Sequence, residues 1–157
     1  MFRPDADRDR TDYSRMMMPP DGYKLDKAVG TTYSLDLEAL TAIAICLGLS
    51  EATDSQLMKN PISMLNALQK VSDKMVMFCE AGQIKVPSQS SALSILLEKM
   101  VVEIALPKDK KSGRYPAFHP KTWVLAYANS SGDKKYRLAI MSRNLTFDRS
   151  WDISFAM

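Results

Sequence analysis

Residues 119–144 read HPKTWVLAYANSSGDKKYRLAIMSRN, and they decide the fold. Two β-rich runs, HPKTWVLAYA and YRLAIMSRN, flank the turn-forming NSSGDKK, which predicts a hairpin. Residues two apart on a strand share a face, so His119 and Lys121 project together, with Trp123 and Leu125 continuing that face. Ser142 and Asn144 are the matching pair on the returning strand. Folding at the turn brings the two polar ends together.

Upstream of this hairpin the pattern is different. Residues 1–22 read as a flexible arm closed by PPDG, in which MMM at Met16–Met18 is a hydrophobic latch. KLDKAVGTTYS reads as a strand through the β preference of Val29, Thr31 and Tyr33. Ser34 is the expected N-cap of the next helix, with Asp36 and Glu38 in its first turn. That helix is expected to reach Leu47 and stop at Gly48. ISMLNALQKVSD has helical spacing at Ile62, Leu65, Leu68 and Gln69. KMVMFCEAG is a buried strand, and SALSILLEKMVVEIAL a helix passing into a strand near Val101. After the hairpin come the loop LTFDRS and a last strand signal, WDISFAM. Strands alternating with helices, then a hairpin, predict an α/β domain over residues 23–157, a mixed β-sheet flanked by helices. The strand signal running to Met157 leads to the expectation of an N-terminal half of a larger protein.

Composition excludes little. With 46% hydrophobic and 25% charged residues the chain is globular, and 157 residues suffice for one core. The net charge of +3 is compatible with a polyanionic partner without indicating one. Cys46 and Cys79 sit in apolar runs with no metal-ligand spacing, as small buried hydrophobes of a reducing cytoplasm. The start carries no secretory signal, and the longest apolar run, Ala39–Leu49, is too short to span a bilayer.

The chemistry gathers on the hairpin. One imidazole, one ammonium, one hydroxyl and one carboxamide suit a phosphodiester: the imidazole attacks phosphorus while the donors hold the non-bridging oxygens as charge builds. No carboxylate or Cys/His ligand set points to a metal, and no cofactor is expected. Lys108, Lys110, Lys111 and Arg114 form a basic loop leading into the histidine strand, suited to a phosphate backbone or simply solvated. Tyr33 and Ser34 end the first strand, where α/β sites gather, and are candidate substrate contacts. Asp148 and Asp152 are candidates to hold the His119 ring through its Nδ1 proton, with a solvated turn or a cap as the plain alternative.

H-x-K at 119–121, then S-x-N-L-T at 142–146 and S-W-D at 150–152, resembles the half-site of the phospholipase D superfamily. KAVGTTYSLDLEAL resembles the opening strand and helix of its bacterial members. Ala126 stands where the motif has an aspartate, and Met141 where it has a glycine. Keeping H-x-K and S-x-N without that aspartate makes the half-site similar to the tyrosyl-DNA phosphodiesterase type, as does NLTFDRSW. The resemblance implies a phosphodiesterase or nuclease acting on nucleic-acid phosphodiesters through a phosphohistidine at His119. It also implies a second half-site, from a homodimer or a missing C-terminal half, whose histidine protonates the leaving group. A non-catalytic half that binds nucleic acid or docks a partner is the alternative. Phospholipid hydrolysis would need an apolar membrane-facing surface that the sequence does not show.

Overall fold

The computed structural model describes residues 16–49, 60–87, 92–147 and 153–157. The elements among the described residues include, in order, β1 (Lys24–Thr32), β2 (Leu35–Asp36), α1 (Leu37–Gly48), α2 (Pro61–Ser72), β3 (Met75–Glu80), β4 (Ile84–Lys85), α3 (Ala92–Glu98), β5 (Val101–Ile104), β6 (Thr122–Ala128), β7 (Lys134–Met141) and β8 (Ser154–Ala156). Six strands form one sheet in the order β5-β3-β1-β6-β7-β8. β1, β3 and β5 run parallel, because helices connect them. β6, β7 and β8 add an antiparallel meander onto β1. The domain is thus α/β with a mixed sheet, as the alternation of patterns implies. None of the helices among the described residues is long and apolar enough to cross a membrane.

The sheet buries one set of alternate residues. Leu25, Met75, Met77, Cys79, Trp123, Leu125 and Tyr127 enter the same core as Leu40, Ala44 and Leu47 of α1 and Leu68 and Val71 of α2. Gly30 lies opposite both Met77 and Trp123. A Cβ there would come within 2.4 Å of the Met77 methyl and 2.8 Å of the indole, so the missing side chain makes room for the tryptophan. Burial pushes the Cys79 thiol up to about 11, helped by the charges of Glu103 and Glu80, while Cys46 is half-buried.

Several boundaries depart from the sequence reading. The helix cap is Asp36 rather than Ser34: its Oδ1 accepts the Glu38 N–H at 3.0 Å, and its Oδ2 meets Lys85 Nζ at 2.9 Å. Ser34 is excluded from that role because Leu35 and Asp36 first pair with Ile84 and Lys85 in a short parallel ladder. Two-residue strands carry too little pattern to be read from sequence. In α2, Leu68 is buried, but Ile62 is 69% exposed and Gln69 is exposed, so the inward stripe is Ala67, Leu68, Val71 and Ser72. Asn60 caps this helix and Pro61 opens it. Met16 and Met17, which the sequence reading placed in the arm, are core residues. Tyr127 Oη donates to Met17 O at 2.8 Å, and Arg137 donates to Met16 O and Met18 O at 2.6 and 2.7 Å.

Gly48 does not stop its helix by turning left-handed; the helix includes it, and Leu49 is the cap. Its task is close packing. A Cβ there would lie 2.2 Å from Ala67 O and 2.8 Å from Ala67 Cα, which are backbone atoms of α2. Two effects therefore oppose each other in Gly48→Ala. Helix propensity favours alanine by about 1 kcal/mol, whereas a clash with backbone costs roughly 1–3 kcal/mol or more because the helices must separate. Packing is expected to win. The melting temperature should fall by roughly 4–8 °C for a net loss of about 2 kcal/mol in a domain of this size. An unchanged or raised melting temperature would count against the close α1–α2 contact.

Candidate functional site

The site lies where the parallel strands end and the hairpin begins. Thr31 pairs with Thr122, so the carboxyl end of β1 meets the amino end of β6. The Thr31 and Thr122 hydroxyls join at 2.9 Å. In open α/β sheets ligands bind beyond the carboxyl ends of the strands, and Tyr33 and Glu80 occupy that position on β1 and β3.

His119 and Lys121 precede β6, while Ser142 and Asn144 follow β7. Thr122 pairs with Ile140 and Met141 N donates to Lys121 O at 2.9 Å, so all four residues lie at one end of the hairpin. The strand alternation expected for them does not extend that far. Continued strictly, it would put Lys121 on the face of buried Trp123 and Ser142 on the face of exposed Ile140. The chain instead leaves the ladder after Met141. Leu145 forms a bridge to Leu35, its N–H donates to Thr32 Oγ1 at 3.0 Å, and its C=O accepts the Asp36 N–H at 2.8 Å. Thr32 is buried and its hydroxyl also donates to Ser34 O at 2.8 Å. This anchorage carries Asn144 back to the end of β1.

Tyr33 joins the pieces. Its ring centroid is 5.0 Å from that of His119, with the planes tilted by 42°. Its backbone N–H donates to Asn144 Oδ1 at 3.3 Å. An N–H needs an acceptor, so this bond fixes which end of the carboxamide is oxygen and leaves the Nδ2 group to donate elsewhere. Lys121 Nζ lies 2.9 Å from His119 Nδ1 and 3.2 Å from Nε2, and 3.4 Å from His119 O. A neutral imidazole offers one lone pair, so the ammonium and ring form a close pair rather than two simultaneous in-plane hydrogen bonds. Burial lowers the Lys121 pKa below the ordinary lysine value by penalising the charged form. His119 is exposed and Lys121 half-buried, so the pair faces solvent at its ring end.

The other expected residues have distinct placements. Ser142 Oγ accepts the Ile153 N–H at 2.9 Å, and Ser142 N donates to Ile153 O at 3.1 Å; these bonds build it into the β7–β8 junction. Ser34 is half-buried and supplies the carbonyl that receives the Thr32 hydroxyl. Lys108, Lys110, Lys111 and Arg114 are exposed on the loop between β5 and β6. Asp109 organises that loop by accepting from Lys111 N at 3.1 Å and Ser112 N at 3.0 Å. Its carboxyl is held below the usual range, first by the Ser112 hydroxyl and then by those two N–H groups. Asp148 and Asp152 lie outside the described residues. Among the described residues no three His, Cys, Asp or Glu side chains are grouped to hold a metal.

Sequence reasoning missed Glu80. Its Oε2 accepts the Phe118 N–H at 2.5 Å, and its own N–H donates to Tyr33 O at 3.2 Å. The available signal was a carboxylate closing an apolar strand, MVMFCE, at the end where α/β sites form.

No family model matches the chain, and no curated protein matches it. Among solved structures, the chain is similar to a mutant of yeast tyrosyl-DNA phosphodiesterase, with 13% identity and a TM-score of 0.41. The similarity covers 83% of this chain and 22% of that one.

Proposed function

We propose that this chain is a phosphodiesterase half-site acting on nucleic-acid phosphodiesters, with His119 as nucleophile. The observation that carries the reading is the Lys121–His119 pair, 2.9 Å apart, packed on the residue whose backbone orients Asn144. The H-x-K and S-x-N-L-T resemblance points the same way. A ring nitrogen of His119 attacks phosphorus and forms a P–N bond as the P–O bond to the leaving group breaks. The leaving alkoxide takes a proton from a general acid. Water then attacks the phosphohistidine, releasing a phosphomonoester and restoring the imidazole. Lys121 Nζ and Asn144 Nδ2 donate to the non-bridging oxygens as charge builds on them. Ser142 supports Asn144 through the β7–β8 junction, and Asp148 and Asp152 are proposed to orient the ring. His119 is the chain's one histidine, so the general acid comes from a second half-site, supplied by another copy or another segment.

The nucleic-acid preference rests on the loop before His119. Lys108, Lys110, Lys111 and Arg114 are exposed there beside Tyr115, which is 74% exposed. Cations tracking phosphates and an aromatic ring offered to bases are the elements of a single-strand platform. Tyr33 and Ser34 are proposed to line the same approach.

Trapping is the direct test. Protein denatured at alkaline pH after incubation with a labelled oligonucleotide should carry alkali-stable, acid-labile label on His119, and no label with a phospholipid. Label absent with both, in a preparation containing the second half-site, would leave a binding half only. Activity should survive a chelator, because ammonium and amide donors supply the electrostatic stabilisation otherwise supplied by a cation. Loss in chelator restored by a divalent ion would contradict this. Asn144→Ala should lower kcat by roughly 10²-fold, as for one oxyanion donor. If Asn144 serves only as a turn residue, its loss would show in the melting temperature and leave kcat unchanged.

A further inference from the structure

The geometry points to Glu80 as the positioning residue for His119, an inference that rests on the reading of His119 as nucleophile. Glu80 closes β3 at the carboxyl end of the parallel strands. Its carboxylate receives the N–H of Phe118, the residue immediately before His119. That segment lies outside β6, so no ladder hydrogen bond of that strand fixes it. The Glu80 backbone N–H donates to Tyr33 O, and the Tyr33 ring packs on His119. One residue therefore ties the histidine segment to the strand end that carries its aromatic neighbour and orients Asn144.

A carboxylate near a phosphate site needs a reason, because it repels the substrate's charge. Here the reason is hydrogen bonding. A main-chain N–H bound to an ionised acceptor makes one of the stronger neutral-to-charged bonds, and a nucleophile misplaced by about 1 Å can lose on the order of 10² in rate. Glu80 does not touch the reacting atoms and acts through the backbone of Phe118. Side-chain substitution removes only that bond, since the bond from the Glu80 backbone to Tyr33 O remains.

The chain's one histidine gives a readout independent of turnover, because its ring signals in a nitrogen–proton NMR spectrum need no assignment among several. Glu80→Gln keeps an acceptor, whereas Glu80→Ala removes it. Glu80→Leu also removes it while retaining bulk, and serves if the alanine variant fails to fold. Each variant is measured as the full chain, by His119 NMR and by hydrolysis of bis(p-nitrophenyl) phosphate in the presence of the second half-site. The alanine or leucine variant should shift the His119 ring signals and lower kcat by roughly 10- to 100-fold with KM little changed. The glutamine variant should keep the wild-type signals and stay within about 3-fold in kcat. Wild-type His119 signals in the folded alanine or leucine variant would overturn the inference, as would a glutamine variant as impaired as alanine. His119→Ala, run alongside, separates the two claims. If it retains turnover, the nucleophile reading fails. If it abolishes turnover while loss of the Glu80 acceptor changes neither signals nor kcat, the positioning inference alone fails.

Discussion

His119→Ala should abolish turnover, by on the order of 10⁴-fold or more, and leave the fold intact. The activity loss is large because no other imidazole exists in the chain to form the phosphorus–nitrogen bond. Removing the nucleophile disables the catalytic set as a unit. The stability effect is small because His119 is exposed and sits outside the regular strand. What it gives up is one ring contact with Tyr33 and the pairing with Lys121 Nζ. Surface changes of this kind stay within about 0.5 kcal/mol. His119→Asn should be equally inactive and still nearer the wild-type melting temperature, since a carboxamide retains a polar partner for the ammonium. The measurement is turnover and thermal melting of both variants, in a form that includes the second half-site. Wild-type turnover in either variant would remove His119 from the chemistry.

The sequence already contained most of the sheet. The apolar run MVMFC reads as a buried strand, and Met75, Met77 and Cys79 are buried while Val76 and Phe78 are half-buried; alternation in the TWVLAYA strand is matched by burial of Trp123, Leu125 and Tyr127. These periods register because one face of each strand is buried under helices. The alternation stops short of the site, where His119 and Lys121 still meet at 2.9 Å. Both i, i+2 pairs belong to chain just beyond the ladder, where hydrogen bonds to distant residues decide direction. Asn144 reaches the site through Thr32 and Leu35, more than a hundred residues earlier, and no local pattern encodes that return. Gly48 shows the same limit. A glycine at a helix end reads as a left-handed cap, yet its reason is the Ala67 backbone on another helix. Local propensity describes what a residue permits, and tertiary contact decides which permission is used. Glu80 was hidden for a further reason: its carboxylate bonds to a backbone N–H, which every residue but proline carries, so no partner residue type flags it.

Lys121→Ala should lower kcat by about 10²–10³, the effect of losing one donor to the transition-state oxygens. The pH dependence is the sharper test. Burial lowers the Lys121 pKa, so the ammonium is lost at a lower pH than for a solvated lysine. If the charged form holds the phosphate, the basic limb of the kcat/KM profile, which reports the free protein, falls before pH reaches the ordinary lysine value. Folding follows the opposite sign. Between the lowered folded value and the unfolded one, the unfolded chain binds more protons, so the penalty for burying the charge lifts and stability rises with pH. Activity lost over that range therefore cannot be attributed to Lys121-linked unfolding. Lys121→Arg tests the assignment, because guanidinium does not titrate there. The arginine variant should lose the early basic limb while keeping a reduced rate, since a planar fork does not reproduce the close contact of Nζ with the imidazole. An unchanged basic limb in Lys121→Arg would assign that limb to another group. A rate unaffected by Lys121→Ala would show that the ammonium serves only as a neighbour of His119.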